Sequence, residues 1–347
     1  MADPSPAAGP GRKGQTANGA PHEIEVVLNG RSVRTVAGIS VLQLLADHPH
    51  PGRLRPLGAV VNGRLRALLH TLVSDCRVDT VDYGSKDGAS VYRRTATLVL
   101  CEAAAGIDPK LSPVVGQALA GGYYFSLRRN GEAVPVISEE LVEELKREML
   151  RIVRENQPIE VRRVAVEEAL EHYRAIGSRD KVLLLETTRR AEVQWASVGR
   201  FRELVLGPLA PTTGSVGRFD LLPYESGMVL RFPGRDFQMR PMTQNQNKLY
   251  QAYLETRTWN DELEVSNVGQ LNEAVIRGHV SEIIRVAEGF HERKIIAIAD
   301  EIRRRQPHAR LVLVAGPSSS GKTTFTKRLG VQLRVLGLKP VALAMDN

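Results

Sequence analysis

The first regular pattern along the chain is an alternation of apolar and polar residues. Residues 24–28 alternate in this way, the pair Asn29-Gly30 follows, and a second alternating run ends at Val36. Two such runs separated by Asn-Gly predict a β-hairpin. Ser40 then stands directly before an apolar stretch, where its hydroxyl can cap a short helix. Further on, residues 57–88 contain a strand pattern, a second Asn-Gly pair and a last strand before a glycine turn.

The pattern changes in residues 89–242, where helical spacing predominates at first. Residues 90–107 and 138–156 both show apolar positions at helical spacing, and Ser138 is placed to cap the second of these helices. Between them lies "VGQALAGGYYFSL", which predicts a glycine-rich bend that enters an aromatic strand. A strand and a helix that ends at Gly177 come next, followed by a β-rich region over 180–242 in which "KVLLLE" is one of the strand signals.

Residues 243–308 show mainly helical spacing and predict a helical connector, whose simplest role is packing. The N-terminal end of the chain has a different composition. Residues 1–22 are rich in Pro, Gly and Ala and have almost no large apolar residues, which predicts a disordered tail.

Composition narrows the class of protein. The chain has 347 residues, 42% of them hydrophobic and 25% charged, as in globular proteins, and it has no apolar run of the length that a membrane span needs. Cys76 and Cys101 form no C-x-x-C pattern, which favours a reducing, cytoplasmic location. The net charge of +8 is compatible with a polyanionic partner such as RNA, or with arginines scattered over the surface.

The motif with the most specific chemistry is the G-x-x-x-x-G-K-[ST] sequence "GPSSSGKT" at 316–323. Apolar runs at 311–315 and 341–345 predict strands on either side of it, with a helix between them. A strand, loop and helix in this order bind phosphates through main-chain N–H groups and the positive end of the helix. Lys322 would contact the β- and γ-phosphates, and the Thr323 hydroxyl would bind Mg²⁺. The predicted nucleotide-binding residues are Gly316, Pro317, Ser318, Ser319, Ser320, Gly321, Lys322, Thr323 and Thr324.

Three parts of the chain each resemble a known family. Residues 23–88, with their two Asn-Gly turns and the "DCRVDTV" strand, resemble a TGS domain of the β-grasp fold, which implies either an accessory domain that contacts a ligand or RNA or a structural cap. Residues 89–242 resemble the second additional domain of threonyl- and alanyl-tRNA synthetases through "RRTATLVLCEA", "GQALAGGYYFSL" and "FRELVLGPLAPTTG". The resemblance implies a domain that removes a wrongly attached amino acid with the help of His and Cys.

The chain departs from that pattern at four positions. Arg94 and Leu98 stand where the resemblance implies histidines, and Val205 and Leu209 stand where it implies Cys and His. Because aliphatic side chains neither transfer protons nor bind zinc, we expect this domain to lack hydrolytic activity. Its cleft is still expected to bind a small molecule or an RNA end.

Residues 309–347 resemble the start of a P-loop kinase domain of the uridine kinase and phosphoribulokinase group, through "GPSSSGKTTFTKRL" and "PVALAMDN". That resemblance implies ATP and Mg²⁺ as cofactors, a nucleoside substrate phosphorylated on its 5′-hydroxyl, and Asp346 as the catalytic base beside Lys322. With so little of a kinase domain present, we expect the chain to be a C-terminally truncated form without activity.

Two alternatives remain open at this stage. One is an RNA- or tRNA-binding regulatory protein whose P-loop senses a nucleotide, and the other is a P-loop enzyme that phosphorylates another acceptor, such as a sugar phosphate. In each case the predicted fold is α+β and multidomain: a β-grasp domain, an α+β synthetase-like domain, a helical connector and the start of an α/β kinase domain.

Overall fold

The computed structural model describes residues 22–199, 201–242 and 246–344. Over these residues the fold is mixed α+β with nine α-helices and three β-sheets, which confirms the α+β part of the predicted fold. The chain divides into two compact units, Met1–Glu255 and Thr256–Asn347. No helix among the described residues is both long enough and apolar enough to cross a lipid bilayer. The predicted tail at 1–22 lies almost entirely outside the described residues.

The first sheet of unit 1 confirms the predicted hairpin. Its strands have the order β2-β1-β5-β3-β4, with β1 parallel to β5 and the other neighbours antiparallel. The strands are β1 (Glu23–Leu28), β2 (Arg31–Val36), β3 (Gly58–Val61), β4 (Arg64–Arg66) and β5 (Cys76–Val81). Helix α1 (Val41–Asp47) packs on them, and Ser40 caps it in a capping box with Gln43.

The second sheet supports most of the core of unit 1. Its strand order is β12-β13-β7-β6, and β8 pairs with β7. The strands are β6 (Leu111–Leu119), β7 (Gly122–Arg129), β8 (Glu132–Ala133), β12 (Asp220–Tyr224) and β13 (Gly227–Arg231). The long helices α2 (Lys86–Ile107) and α3 (Glu139–Glu155) pack against this sheet through one continuous apolar cluster, and Ser138 caps α3 as predicted.

The third sheet of unit 1 is small, with the antiparallel order β11-β10-β9. It contains β9 (Glu160–Ala165), β10 (Glu192–Val198) and β11 (Phe201–Leu204), and it is covered by α4 (Val166–Ala175) and α5 (Arg179–Glu186). The strand prediction for "KVLLLE" is therefore wrong, because these residues belong to α5. Gly177 ends α4 with a φ of +71°, and the chain then forms a second helix whose Leu185 packs in the same apolar cluster as Trp195 of β10.

Helix α6 (Asn247–Glu262) begins in unit 1, and unit 2 contains α7 (Val268–Ile276), α8 (Val280–Arg304) and α9 (Lys322–Val335). The prediction that residues 243–308 are mainly helical is thus confirmed for the described residues. Helices α8 and α9 pack through Ile295, Ala299, Leu329 and Leu333.

The two strands predicted beside the GKT motif are not present among the described residues of unit 2. The backbone is irregular over 311–315 and over 341–344. Side chains in both runs are largely exposed: Leu311 is 74% exposed and Leu343 is 83% exposed. An apolar run becomes a stable strand only when neighbouring strands accept its hydrogen bonds and other elements cover its faces, and the described residues of unit 2 provide neither.

Candidate functional site

The four positions at which the chain departs from the synthetase pattern come together in the structure. Leu98 lies in α2, while Val205 and Leu209 follow β11, more than a hundred residues later. All three belong to one apolar cluster in which Leu98 and Leu209 are almost fully buried. Arg94 lies one helical turn before Leu98, and its Nε donates a hydrogen bond to the Pro208 carbonyl at 3.0 Å. We call these four residues the substituted site.

A buried hydroxyl fixes the segment after β11 against α2. Thr95 is fully buried, and its Oγ1 donates to the Val91 carbonyl at 2.8 Å. The same oxygen accepts a hydrogen bond from the Ala210 N–H at 3.0 Å. Together with the bond from Arg94 to the Pro208 carbonyl, this bridge holds the segment after β11 against the helix beside the substituted site.

We expect Thr95→Val to destabilise the protein by about 1–3 kcal/mol, since it leaves the buried Ala210 N–H without an acceptor. The measurement is the free energy of unfolding from urea denaturation. Thr95→Ser is the matched control, because it keeps the hydroxyl and loses one methyl group, for an expected cost of about 1 kcal/mol. Equal stability of the valine variant and the wild type would show that the bridge contributes nothing.

The substituted site contains no group that can transfer a proton or hold a metal. Three of its side chains are aliphatic, and an arginine guanidinium keeps its proton in proteins. Burial lowers the pKa of Arg94, while Tyr123 and Asp87 oppose that shift. Among the described residues no three His, Cys, Asp or Glu side chains are close enough to hold a metal ion.

Cys101, one turn after Leu98 in α2, does not replace the missing thiol. Burial, assisted by the negative charge of Glu203, raises the pKa of the Cys101 thiol to about 12. A thiol with such a pKa stays protonated near neutral pH and is a poor nucleophile.

A second feature, the cationic cavity, has a volume of about 490 Å³ and lies next to the substituted site. It is lined by Arg93, Arg231 and Arg240, by the aromatic rings of Tyr123 and Phe232, and by the turn that joins β6 to β7. Arg93 and Arg94 are consecutive residues of α2, so their side chains leave the helix about 100° apart. Arg93 therefore lines the cavity, while Arg94 belongs to the substituted site. Tyr123 lines the cavity and is also near enough to Arg94 to affect its pKa.

The turn between β6 and β7 shapes one wall of the cavity. Ala120 and Gly121 both have positive φ, at 51° and 77°, as a tight hairpin turn requires. Arg231, which is only 8% exposed, donates its Nε to the Ala120 carbonyl at 3.2 Å and its Nη2 to the Arg240 carbonyl. A guanidinium has five N–H groups, so these two bonds anchor Arg231 and leave further donors.

The charge in the cavity is poorly compensated. None of the described lining residues is Asp or Glu. The Nε of Arg93 is buried and has no hydrogen-bond partner among the described residues, and its guanidinium lies 5.7 Å from the centre of the Phe232 ring. Arg240 pairs with Asp236 at 3.2 Å, but both side chains are exposed, so water screens this pair.

Sequence reasoning did not find the cationic cavity. Its arginines come from α2, from β13 and from the segment after β13, and no local motif connects them. One signal was present in the sequence, an arginine at the end of the apolar strand "GMVLRF", where burial of a charge requires partners.

The predicted phosphate-binding residues form a compact loop at the start of α9. Ser319 and Gly321 have positive φ, at 60° and 81°. Lys322, the first residue of α9, donates from Nζ to the Pro317 carbonyl within the loop at 2.8 Å. The turn and the helix of the motif are thus formed, whereas Asp346 lies outside the described residues.

No family model matches the chain. The chain is similar to threonine–tRNA ligases of several bacteria. It is 30% identical to the ligase of Listeria welshimeri over 186 residues, which is 53% of this chain and 28% of the relative. The identity is 32% over 203 residues for the ligase of Symbiobacterium thermophilum and 26% over 195 residues for that of Clostridium kluyveri. The chain spans less than a third of the length of these relatives.

These similarities overturn the prediction of a nucleoside kinase, both as the function and as the enzyme class. The relatives are ligases that act on tRNA, and none of those just named is a phosphotransferase. The physical reason for the error is that a short glycine-lysine motif specifies a turn and a helix start, whereas the kinase fold also needs the sheet that the described part of unit 2 lacks. The similarities agree with the predicted synthetase-like character of the chain.

Proposed function

We propose that residues 23–242 form a tRNA-binding module that holds the acceptor end of the RNA without hydrolysing an aminoacyl ester. The observation that carries this proposal is the similarity to threonine–tRNA ligases over more than half of the chain, combined with the aliphatic character of the substituted site. Binding and hydrolysis have different requirements. Binding needs shape and positive charge, and hydrolysis needs proton transfer.

The arrangement of charge supports the binding half of the proposal. The chain has a net charge of +8, and three arginines line a cavity next to the substituted site. RNA ends are recognised by stacking on aromatic rings and by contacts of cationic side chains with phosphates. The cationic cavity offers both kinds of surface within one concave site.

The division into parts is also a proposal. Residues 23–88 would form a TGS-like β-grasp domain, residues 89–242 the synthetase-like domain, residues 243–308 the helical connector, and residues 309–347 a nucleotide-sensing segment. In that segment residues 316–324 would bind ATP with Mg²⁺ on Thr323. Lys322 would then exchange the Pro317 carbonyl for a phosphate oxygen.

Filter binding of the full chain to tRNA tests the proposal. We expect the affinity to fall steeply with salt, with a log–log slope of several units, because each neutralised phosphate releases counterions. Removal of the 3′-terminal nucleotides should weaken binding about tenfold or more, as expected for the loss of a stacked base. A tRNA that binds equally well with and without its 3′ end would contradict recognition of the acceptor end.

The second half of the experiment concerns chemistry. A tRNA carrying an esterified amino acid is incubated with the chain, and the fraction that stays aminoacylated is measured over time. We expect the same decay rate with and without the protein. The proposal would be contradicted if the protein accelerated the loss of the amino acid and if mutation of residues in the substituted site abolished that acceleration.

A further inference from the structure

The volume of the cationic cavity, its positive charge and its aromatic wall together indicate the class of ligand that it can bind. Its volume of about 490 Å³ lies within the range of small-molecule sites and is far larger than a bare phosphate ion requires. The cavity therefore has room for several more atoms beside an anionic group. Tyr123 and Phe232 contribute the aromatic side of the wall, against which a planar ring can pack.

The charge distribution indicates that the other part of the ligand is anionic. Three guanidinium groups line the cavity, and no carboxylate of the described lining residues offsets them. Arginine presents N–H groups in a planar fork that matches phosphate oxygens. Carboxylates are the usual alternative partner of arginine, but a single carboxylate would leave more of this positive charge uncompensated than a doubly charged phosphate does.

The fixed positions of two cavity arginines provide an independent indication. Arg231 is held in place by the Ala120 and Arg240 carbonyls and so has a fixed orientation before any ligand arrives. Arg93 is likewise held beside the Phe232 ring and by a side-chain hydrogen bond with Tyr83. Two arginines positioned before any ligand arrives are the features of a preorganised anion site.

We infer that the cationic cavity binds a nucleotide, with its phosphate on Arg93 and Arg231 and its base against the aromatic wall. The shared chemistry is that of a nucleoside monophosphate, which a free nucleotide or the terminal nucleotide of an RNA can supply. Only the second source rests on the proposed function.

Calorimetric titration of the full chain with 5′-AMP, adenosine and inorganic phosphate tests the inference. We expect 5′-AMP to bind at least tenfold more tightly than adenosine, because adenosine lacks the charge-assisted hydrogen bonds. Inorganic phosphate should also bind more weakly than 5′-AMP, since it leaves the aromatic wall uncovered. Absence of 5′-AMP binding, or equal affinities for 5′-AMP and adenosine, would overturn the inference.

The key variant is Arg93→Gln, with Arg235→Gln as the matched control. Both remove one positive charge, but Arg235 is exposed and does not line the cavity. We expect at least a tenfold loss of 5′-AMP affinity for Arg93→Gln and less than a twofold change for Arg235→Gln. Equal thermal unfolding midpoints of the two variants establish that the cavity variant is folded.

Arg240→Gln, at the exposed rim of the cavity, is a second variant, for which we expect a smaller loss of 5′-AMP affinity. If both cavity variants bind 5′-AMP as the wild type does, the site is elsewhere and the inference fails.

A parallel titration with a short RNA ending in CCA separates the two sources and the two proposals. Competition between 5′-AMP and this RNA, lost in Arg93→Gln, supports a cavity that receives the RNA terminus. Binding of 5′-AMP without binding of RNA supports the inference and contradicts the proposed function. Binding of RNA without binding of 5′-AMP overturns the inference and leaves the proposed function in place.

Discussion

Gly122→Ala is expected to destabilise unit 1 by about 3 kcal/mol or more, because the added methyl group has no space. A Cβ at this position would lie 2.1 Å from the Leu230 carbonyl oxygen and 2.8 Å from the Arg231 Cα. Both atoms belong to the backbone of β13, which pairs with β7, so no side chain can move aside. Relief requires the two strands to separate, at the cost of ladder hydrogen bonds beside the cationic cavity.

The neighbouring Gly121 provides the matched control. A Cβ on Gly121 would meet no atom within 4 Å, and the only cost is its φ of +77°. We therefore expect Gly121→Ala to cost about 1 kcal/mol. Urea denaturation of both variants gives the comparison. If the two costs are equal, the close approach of β7 to β13 does not contribute to stability.

The extent to which sequence predicted this structure depended on how local each determinant is. Asn29-Gly30 forms a turn with φ of 48° and 84°, and Asn62-Gly63 does so with 48° and 78°. Four neighbouring residues fix such a turn, and the hairpins were therefore predictable. Serine caps are equally local, and Ser40 acts as predicted.

Determinants that act over long distances were accessible only through a family resemblance or not at all. The meeting of Leu98 with Leu209 followed from the synthetase-like pattern, since no local signal joins residues that far apart. The cationic cavity has no such pattern to reveal it. Its arginines are brought together by the pairing of β13 with β7 and by the packing of α2, and both depend on the whole fold.

The GKT segment shows a different limit, because only the local part of the structure predicted from its motif is present. Its local part, a turn with positive φ and a helix that begins at Lys322, is present. The flanking apolar runs do not form strands, because strand formation depends on partners outside the motif. The kinase prediction therefore included a β-sheet that the described residues do not form.

Phe125→Ala is expected to destabilise unit 1 by about 3–5 kcal/mol, the usual cost of emptying a buried phenylalanine site. Phe125 is fully buried in β7, directly opposite Met228 in β13. It belongs to the apolar cluster that joins the second sheet to α2 and α3. The side chains around it come from several elements, so they cannot all collapse into the space that the ring leaves.

Val115→Ala is the matched control for this loss of core packing. Val115 lies in β6, opposite Phe125, but 53% of its surface is exposed, so its truncation should change stability by only about 0.5 kcal/mol. In a unit of this size the phenylalanine variant should lower the thermal unfolding midpoint by roughly 10 °C, and the valine variant by far less. A loss below about 1 kcal/mol for Phe125→Ala would mean that the sheet and its helices repack around the vacated volume. The positions of Arg93 in α2 and Arg231 in β13 would then not be held rigidly by this core, and the cationic cavity would lose its basis as a preorganised site.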